Sequence, residues 1–395
     1  MQTGINPPSP PPHFDEACRE RLTAQRRRRL FVQVAVIALV VSVIYWLSGN
    51  VVDNLEQRNI RSGFEFLKNA ANIEIGESSL AFSSSDSVAR AFLIGLLNTL
   101  KVSFFAVLSA TILGIVVGLM RLANHPILRF LGTAHVEFYR NIPLIIQLFA
   151  IYLLMTELLP MSTEAVSFWG WALLSKAGLQ VAVPRQALLS LAAGGLVGIL
   201  TLFLVRLYAL RTMTGLMANL CGVAAGSVMF LLVWVLFGFL GGWSVPVVNG
   251  FAIEGGAALS PEFLALWLGL TLFTSAAIAE IVRAGVIAVP AGQWNAGLAL
   301  GMTRIQTVSY IIFPQSMKLA VPPLASQYMN LTKNSSLAVV IGYPDLVAIG
   351  NSTINITGQA LEVIVLIMAV YLTINLGISL LMNALNARVT RSMQR

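Results

Sequence analysis

The sequence predicts an all-α membrane protein with about eight transmembrane helices. Of its 395 residues, 57% are hydrophobic and 11% are charged, whereas charged residues make up about 25% of a soluble globular domain. Apolar runs of roughly 20 residues, the length that a helix needs to cross the hydrocarbon core, recur along the chain. Together these observations exclude an ordinary soluble domain.

The N-terminal part of the chain predicts a basic tail followed by a first span. Residues 1–30 are assigned to a cytoplasmic tail, of which residues 1–14 are rich in Pro, Ser and Asn and are expected to be disordered. Residues 31–48 are expected to be an uncleaved signal anchor, because the apolar run is long for a signal peptide and no small-residue cleavage site follows. Residues 49–90 are polar and are assigned to the outside, with an amphipathic helix around residues 63–71.

Residues 91–386 hold the other seven predicted spans. Residues 160–250 are interpreted as an insertion in this domain, and residues 160–186 within it as an external or re-entrant helix rather than a ninth span. Residues 387–395 form a second cytoplasmic tail. The seven spans lie near residues 91–119, 141–159, 187–206, 215–240, 262–288, 316–342 and 361–386.

The distribution of Lys and Arg predicts that both termini are cytoplasmic. Of the 25 basic residues, 17 fall in segments assigned to the cytoplasm, 7 in outer segments and Lys101 alone within a span. Cytoplasmic loops carry such an excess in membrane proteins. The net charge of +8 therefore reflects topology, and the sequence does not indicate a nucleic-acid partner.

The predicted cytoplasmic loop 289–315 is not built like an ordinary connection. Pro290 precedes a helix predicted over residues 293–300, and Gly301 is a natural left-handed terminator for it. One face of this helix carries small residues and so suits insertion into a cleft on another protein, while Trp294 is expected to anchor the opposite face at the bilayer boundary. The composition alone also fits a plain interfacial helix. The small residues are Ala296, Gly297 and Ala299.

The loop resembles the Glu-Ala-Ala loop of type I ABC importer permeases, in which Glu-Ala-Ala is followed by three residues, Gly, and a distal Ile-x-Leu-Pro. Here Asn295-Ala296-Gly297 stands in the Glu-Ala-Ala place, Gly301 in that of the Gly, and Ile312-Phe313-Pro314 approximates the distal signature. The resemblance implies a coupling helix that sits in a groove of a cytoplasmic ATPase. Asn295 removes a charge from the expected contact.

Three further stretches, Glu137–Leu144 with Gln147, Ala279–Gly285 and Lys333–Ala338, resemble polar amino-acid permeases. The long basic tail and the insertion look most like the larger permease of general L-amino-acid importers. The resemblance implies a multi-pass subunit of the bacterial inner membrane that imports amino acids from the periplasm. It also implies three partners: a cytoplasmic ABC ATPase dimer, a second, non-identical permease and a periplasmic amino-acid-binding protein.

Polar residues inside the predicted spans are candidates for the substrate path, because polar groups in the hydrocarbon core are costly unless they face protein or water. Hydrogen bonds between helices are the alternative role, and they are the expected role of Thr274 and Ser275. The candidates are Gln147, Gln327, Asn330, Thr332, Asn334, Ser335 and Ser336.

Two charged pairs are candidates for gates or for structural ion pairs. Glu137 with Arg140, and Glu280 with Arg283, stand three residues apart. Each pair is expected to share one helical face at the cytoplasmic end of a span.

The sequence contains no enzyme motif that would favour a catalytic function over this interpretation. The sequence holds no phosphate-binding loop and no Gly-x-Ser-x-Gly or His-Glu-x-x-His pattern, so no catalytic residue is assigned, and ATP and Mg²⁺ are expected on the partner ATPase. Cys18 and Cys221 lack metal-ligand spacing. Two other functions are weighed: an ion-gradient-driven transporter, which the scarcity of charge within the spans disfavours, and a non-transporting membrane scaffold that holds a cytoplasmic partner.

Overall fold

The computed structural model describes residues 12–57, 63–78, 80–211 and 215–392. The chain divides into two compact units, residues 1–64 and 65–395. The first holds α1 (Pro12–Gln57), whose Arg27–Leu47 stretch is long and apolar enough to span a membrane. The expected disorder is wrong for residues 12–14, because α1 begins at Pro12, and proline suits the first turn of a helix. Residues 1–11 lie outside the described residues.

The second unit contains the remaining spans. Among all the described residues, six helices, α1 included, are long and apolar enough to cross a membrane, or up to eight if each of two bent helix pairs is one span, which confirms the predicted class. The helices of its main bundle are α2 (Val88–Leu122), α3 (Pro126–Asn141), α4 (Leu144–Leu153), α7 (Pro261–Ile287), α10 (Phe313–Asn334), α11 (Leu346–Thr357) and α12 (Ala360–Ser392).

The bend between α3 and α4 measures 103° and follows from one proline. Ile142, the residue before Pro143, is extended, with φ −104° and ψ 130°. Proline lacks an N–H and disfavours helical geometry in the residue before it. The predicted span 141–159 is therefore the second arm of a bent pair, in which one π-helical turn (Leu154–Leu158) extends α4.

Helices α2 and α7 form the centre of the bundle. A Cβ atom built on Gly118 would lie 2.9 Å from the carbonyl oxygen of Ala279, so the two backbones approach closely there, as small residues allow in membrane bundles. Toward the other end of α2, Val102 packs with Phe263 and Leu266 in the largest buried apolar cluster.

Helices α5 (Ala187–Ala209) and α6 (Gly215–Gly241) form a hairpin. They pack mainly on each other, and their backbones approach closely at Gly198 and Gly226. A Cβ on Gly226 would lie 2.7 Å from the carbonyl oxygen of Gly198. Larger side chains at these two positions would separate the helices.

The prediction of a helix in residues 160–186 is wrong. Apart from a 3-10 turn at Ser162–Glu164, this segment forms short antiparallel strands. The strands of this region and of the chain after α6 are β1 (Val166–Phe168), β2 (Ala172–Ser175), β3 (Gly178–Val181), β4 (Val183–Pro184), β5 (Trp243–Ser244), β6 (Val247–Asn249), β7 (Ala252–Glu254) and β8 (Ala257–Leu259). Alternating burial along β2 and β3 is typical of a half-buried sheet. The sheet has the order β1-β2-β3-β8, and two further pairs join β4 to β5 and β6 to β7.

The segment from Glu65 to Ser87 lies against the bundle. The amphipathic helix expected around residues 63–71 is a single 3-10 turn, Glu65–Lys68, with Phe66 buried. Farther on, the Glu77 carboxylate forms a 2.6 Å ion pair with Lys101 of α2 and accepts a hydrogen bond from the Ser260 hydroxyl. The basic residue that the sequence places within a span is thus neutralised by this segment.

Candidate functional site

A cavity of about 370 Å³ opens between α3, α7 and α10. Three amide side chains of α10, Gln327, Asn330 and Asn334, line one wall of it; their spacing of three and four residues puts them on one helical face. Thr274, opposite them, lies midway along α7. The full lining is Arg140, Phe273, Thr274, Ala277, Gln327, Asn330, Leu331 and Asn334.

Arg140 is the charged residue of this cavity. It was expected at the cytoplasmic end of a span, but α3 runs along α7, with His135 Nε2 2.9 Å from the Ser275 hydroxyl, and brings Arg140 beside Thr274. The expected location of Arg140 is therefore wrong, because the sequence does not show the direction in which a helix leaves a proline bend.

The expected Glu137–Arg140 ion pair is also wrong. The Glu137 carboxylate accepts a 3.3 Å hydrogen bond from the Asn141 amide instead. Within the described ranges, no carboxylate lies within the 4.0 Å salt-bridge limit of the Arg140 guanidinium. Arg140 thus presents an unpaired charge to a polar cavity at mid-span, and a charge at that depth is costly unless a partner or water compensates it.

Gln147 does not line the cavity. Its Nε2 donates to the carbonyl oxygens of Tyr139 at 2.9 Å and Ile142 at 2.8 Å. A helix end leaves its last carbonyls without intrahelical partners, so the Gln147 amide satisfies two acceptors at the bend between α3 and α4.

The three hydroxyl candidates also lie outside the cavity lining. Thr332 and Ser335 are buried, and their hydroxyls donate to the carbonyl oxygens of Tyr328 and Thr332. Ser336 donates to the carbonyl oxygen of Lys333. The structure therefore brings Gln327, Asn330 and Asn334 together with Arg140 and separates them from the other candidates.

Thr274 and Ser275 differ in their surroundings although they are neighbours. Ser275 makes the expected interhelical hydrogen bond, to His135. Thr274 lines the cavity and belongs with the candidate site. Only the arrangement of α3 against α7, which no local sequence signal encodes, distinguishes the two.

The second expected ion pair is present. Glu280 Oε1 accepts a 2.7 Å hydrogen bond from Arg283 Nη2, and Glu280 Oε2 pairs with Arg121 Nη1. Arg121, from the last turn of α2, is a partner that sequence reasoning missed. Glu280 therefore joins α2 to α7 as well as neutralising the arginine on its own helix.

The predicted loop helix is present as α8 (Ala291–Ala299), close to the expected residues 293–300, and Gly301 follows it with φ +75°. The chain continues as α9 (Arg304–Thr307), which begins with a capping box between Thr303 and Gln306. One π-helical turn, Val308–Ile312, then leads into α10 with Pro314 in its first turn.

The small face of α8 is only partly free. Asn295, Ala296 and Ala299 are exposed, but Gly297 is buried against Thr307 of α9. The expectation that Gly297 belongs to an open face is therefore wrong, because its missing side chain serves packing within the loop. Trp294 is half-buried. The most exposed aliphatic side chains of α8 and α9 and the turn between them are Leu298, Leu300 and Ile305.

Residues 227–391 match the model of the family described as binding-protein-dependent transport system inner membrane component. The chain is 42% identical to the putative amino-acid ABC transporter permease protein YhdX of Escherichia coli K12, over 92% of this chain and 94% of that protein. It is 36% identical to the general L-amino acid transport system permease protein AapQ of Rhizobium johnstonii, over 94% of each.

A third relative is the glutamate/glutamine/aspartate/asparagine transport system permease protein BztB of Rhodobacter capsulatus, 33% identical over 92% of this chain and 94% of that protein. These full-length similarities confirm the predicted family and the multi-pass inner-membrane class. They also support a permease subunit over the secondary transporter and the scaffold. The chain belongs to the amino-acid ABC transporter permeases and is the membrane subunit rather than the ATPase.

Proposed function

We propose that this chain moves amino acids from the periplasm to the cytoplasm past Arg140, and that Arg140 binds the substrate carboxylate. The observation that carries the proposal is the unpaired guanidinium at mid-span, across a cavity of about 370 Å³ from three amide side chains. The substrates named for AapQ and BztB, L-amino acids and the acidic and amide amino acids, support this class.

The chemistry of the cavity suits a free amino acid. A guanidinium holds a carboxylate through two parallel hydrogen bonds, and the substrate carboxylate would neutralise the arginine at this depth. The amide oxygens of Gln327, Asn330 and Asn334 accept hydrogen bonds from an ammonium group, while their NH₂ groups serve polar side chains. Since the lining holds no charged residue besides Arg140, the cavity does not select among amino-acid substrates by the charge of their side chains.

The loop 289–315 supplies a route from a motor to this cavity. We infer that α8 docks in a cytoplasmic ABC ATPase dimer, which binds ATP and Mg²⁺, through the exposed residues Asn295, Ala296 and Ala299. Gly297 transmits the movement to α9 by its contact with Thr307. Helix α9 runs through the π turn into α10, and α10 carries the three amides that line the cavity.

The proposed complex has two further subunits: a non-identical second permease and a periplasmic amino-acid-binding protein that delivers substrate to the outer face. The excess of Lys and Arg in the tails and in alternate loops supports cytoplasmic termini. In the proposed cycle, ATP binding closes the ATPase dimer and opens the cavity to the periplasm. ATP hydrolysis then opens the cavity to the cytoplasm again.

Substitution of Arg140 tests the proposal. In proteoliposomes with the complete complex, Arg140→Gln should lower amino-acid uptake by at least about tenfold, which corresponds to about 1.4 kcal/mol of lost substrate binding. The basal ATPase rate should be unchanged. Arg140→Lys should be intermediate, because it keeps the charge and loses the bidentate geometry. Arg129→Gln, an exposed change on the same helix, is the matched control. Unchanged uptake by Arg140→Gln would contradict the assignment.

Gly301 tests the coupling loop separately. Gly301→Glu places a charged side chain at φ +75° beside the proposed ATPase contact. We expect docking of the binding protein to persist and ATP-driven uptake to be lost. Gly301→Asn is the control, since Asn adopts left-handed geometry readily, and it should retain most uptake. Normal uptake by Gly301→Glu would refute the coupling role.

A further inference from the structure

The strands beside the α5–α6 hairpin carry an aromatic group, Trp169 and Trp171, that lies outside the lining of the candidate cavity. Trp169 is 95% exposed and Trp171 is 51% exposed. Both lie at the β1–β2 turn, where the Trp171 N–H donates to the Phe168 carbonyl oxygen at 3.0 Å. Trp169 has φ +50°, a conformation that is costly for a bulky residue and that marks candidate functional positions.

Covalent geometry places this group at the end of a span. Trp243 follows the end of α6 at Gly241 by two residues, or about 7 Å of extended chain. Its indole also folds back over the last turn of α6, where a Cβ atom on Gly238 would overlap the ring. Trp171 packs edge-on against Trp243, with ring centroids 4.9 Å apart at 85°. Trp171 is therefore at the level of the helix end.

The hydrocarbon core of the bilayer also extends to this end of the hairpin, where α5 begins and α6 ends. The first turn of α5 exposes Leu188, and the last turn of α6 exposes Phe239 and Leu240, at 84%, 77% and 80%. Fully exposed apolar side chains at this end of a membrane hairpin belong in hydrocarbon. The zone between the hydrocarbon and the aqueous phase is about 5–8 Å thick on each side, which places Trp171 within it.

The charge pattern fits lipid rather than a soluble protein. Residues 165–175 and 241–253, which surround the aromatic group, hold no charged residue. Arg185 lies beside the end of α6: its backbone N–H donates to the Gly242 carbonyl oxygen at 3.0 Å, and its side chain is exposed. Tryptophan with a flanking arginine is typical of the membrane interface, where the ring sits among headgroups and the cation meets lipid phosphate.

We propose that Trp169 and Trp171 insert into the lipid interface at this end of the α5–α6 hairpin and fix its depth in the bilayer. The hairpin needs such an anchor because its two helices pack mainly on each other. The partner is a phospholipid surface, and the contacts from Gly238 through Trp243 to Trp171 set the position of the tryptophans relative to α6.

Spin-label accessibility tests the insertion. With Cys18→Ser and Cys221→Ala as background, a nitroxide is attached at Trp169→Cys, and the complete complex is placed in nanodiscs of phosphatidylethanolamine and phosphatidylglycerol. We expect several-fold fewer collisions with a water-soluble nickel chelate than for a label at Ser85→Cys, an exposed position, and more collisions with oxygen. Equal nickel accessibility would overturn the proposal. Protection that requires loaded binding protein would also overturn it, because the loop would then be a protein contact.

A second, label-free measurement tests the insertion even if the Trp169→Cys variant does not fold. Brominated phospholipids should quench part of the tryptophan fluorescence of the unlabelled complex, and Trp169→Phe should lower that quenchable part. Trp267→Phe, which changes a ring packed on the core and bonded to Ser109, should not. A quenchable part that Trp169→Phe leaves unchanged contradicts the insertion.

Discussion

Gly297 of α8 lies directly against Thr307 of α9. A Cβ atom built on Gly297 would come within 2.7 Å of Thr307 Cγ2 and 2.9 Å of its Oγ1, closer than side chains pack. Thr307 is fully buried and its hydroxyl donates to the Thr303 carbonyl oxygen at 3.0 Å, so it has little freedom to move away. This contact fixes the angle between α8 and α9.

Alanine at Gly297 should therefore destabilise the loop. In a helix interior, replacing Gly by Ala normally stabilises the protein by about 1 kcal/mol. We expect a smaller stabilisation at Gly292, which lies in the first turn of α8 with open space around it, and a destabilisation at Gly297, with uptake lowered several-fold. The measurements are the melting temperature and ATP-driven uptake of the complex. Adding Thr307→Ala should restore part of the loss, and a Gly297→Ala variant as stable as Gly292→Ala would refute the packing role.

Leucine at Gly226 should separate the helices of the α5–α6 hairpin. The new side chain would meet the backbone of Gly198, and such overpacking costs about 1–3 kcal/mol. Gly195, one residue from the interface glycine Gly194, has nothing within 4 Å of its Cβ position, so Gly195→Leu should not lower the melting temperature. Equal melting temperatures for the two variants would show that the glycines do not set the hairpin contact.

Much of the fold follows from local sequence. Apolar runs predict the spans because a bilayer requires continuous hydrophobic length, and Pro290 and Gly301 bound α8 because each fixes a local backbone preference. The segment 160–186 was mispredicted because its strands are only two to four residues long, and β3 pairs with β8, about 80 residues farther on. Such short strands form only when a distant partner is in place.

The candidate site could be predicted only in part. The amide stripe of α10 follows from its spacing, since residues three and four apart share a helical face. The position of Arg140 depends on the 103° bend, and the pairing of Glu280 with Arg121 joins residues 159 positions apart. Local pattern thus identified the polar residues, while tertiary packing decided which of them face the cavity.

Glutamine at Glu77 should loosen the segment from Glu65 to Ser87. The change removes the 2.6 Å ion pair with Lys101, and a charge-assisted hydrogen bond contributes about 1.5–3 kcal/mol. With both side chains partly exposed, we expect the lower end, or about tenfold faster hydrogen exchange in the segment. Glu74→Gln, an exposed change three residues away, should leave the exchange rate unaltered. Similar rates in the two variants would mean that the ion pair does not hold the segment.

Glutamine at Glu280 should destabilise the contact between α2 and α7. Two arginines would lose their shared carboxylate, and Arg121 could not easily reach water because its side chain is only 11% exposed, against 30% for Glu280. Breaking a buried ion pair costs about 3–5 kcal/mol and a surface pair less than about 1. For this partly buried cluster we expect about 1–3 kcal/mol, seen as a lower melting temperature of the complex.

Glu137→Gln is the matched control for that loss. Glu137 is exposed and bonds only to the Asn141 amide among the described residues, so its substitution should not change the melting temperature. The double variant Glu280→Gln with Arg121→Gln separates pairing from a general effect of charge. If the pairing is direct, the second change costs less in the Glu280→Gln background than alone, because the guanidinium it removes is already unpaired. Strictly additive losses would show that Arg121 and Glu280 act independently, and that α2 and α7 are joined by their close backbone packing alone.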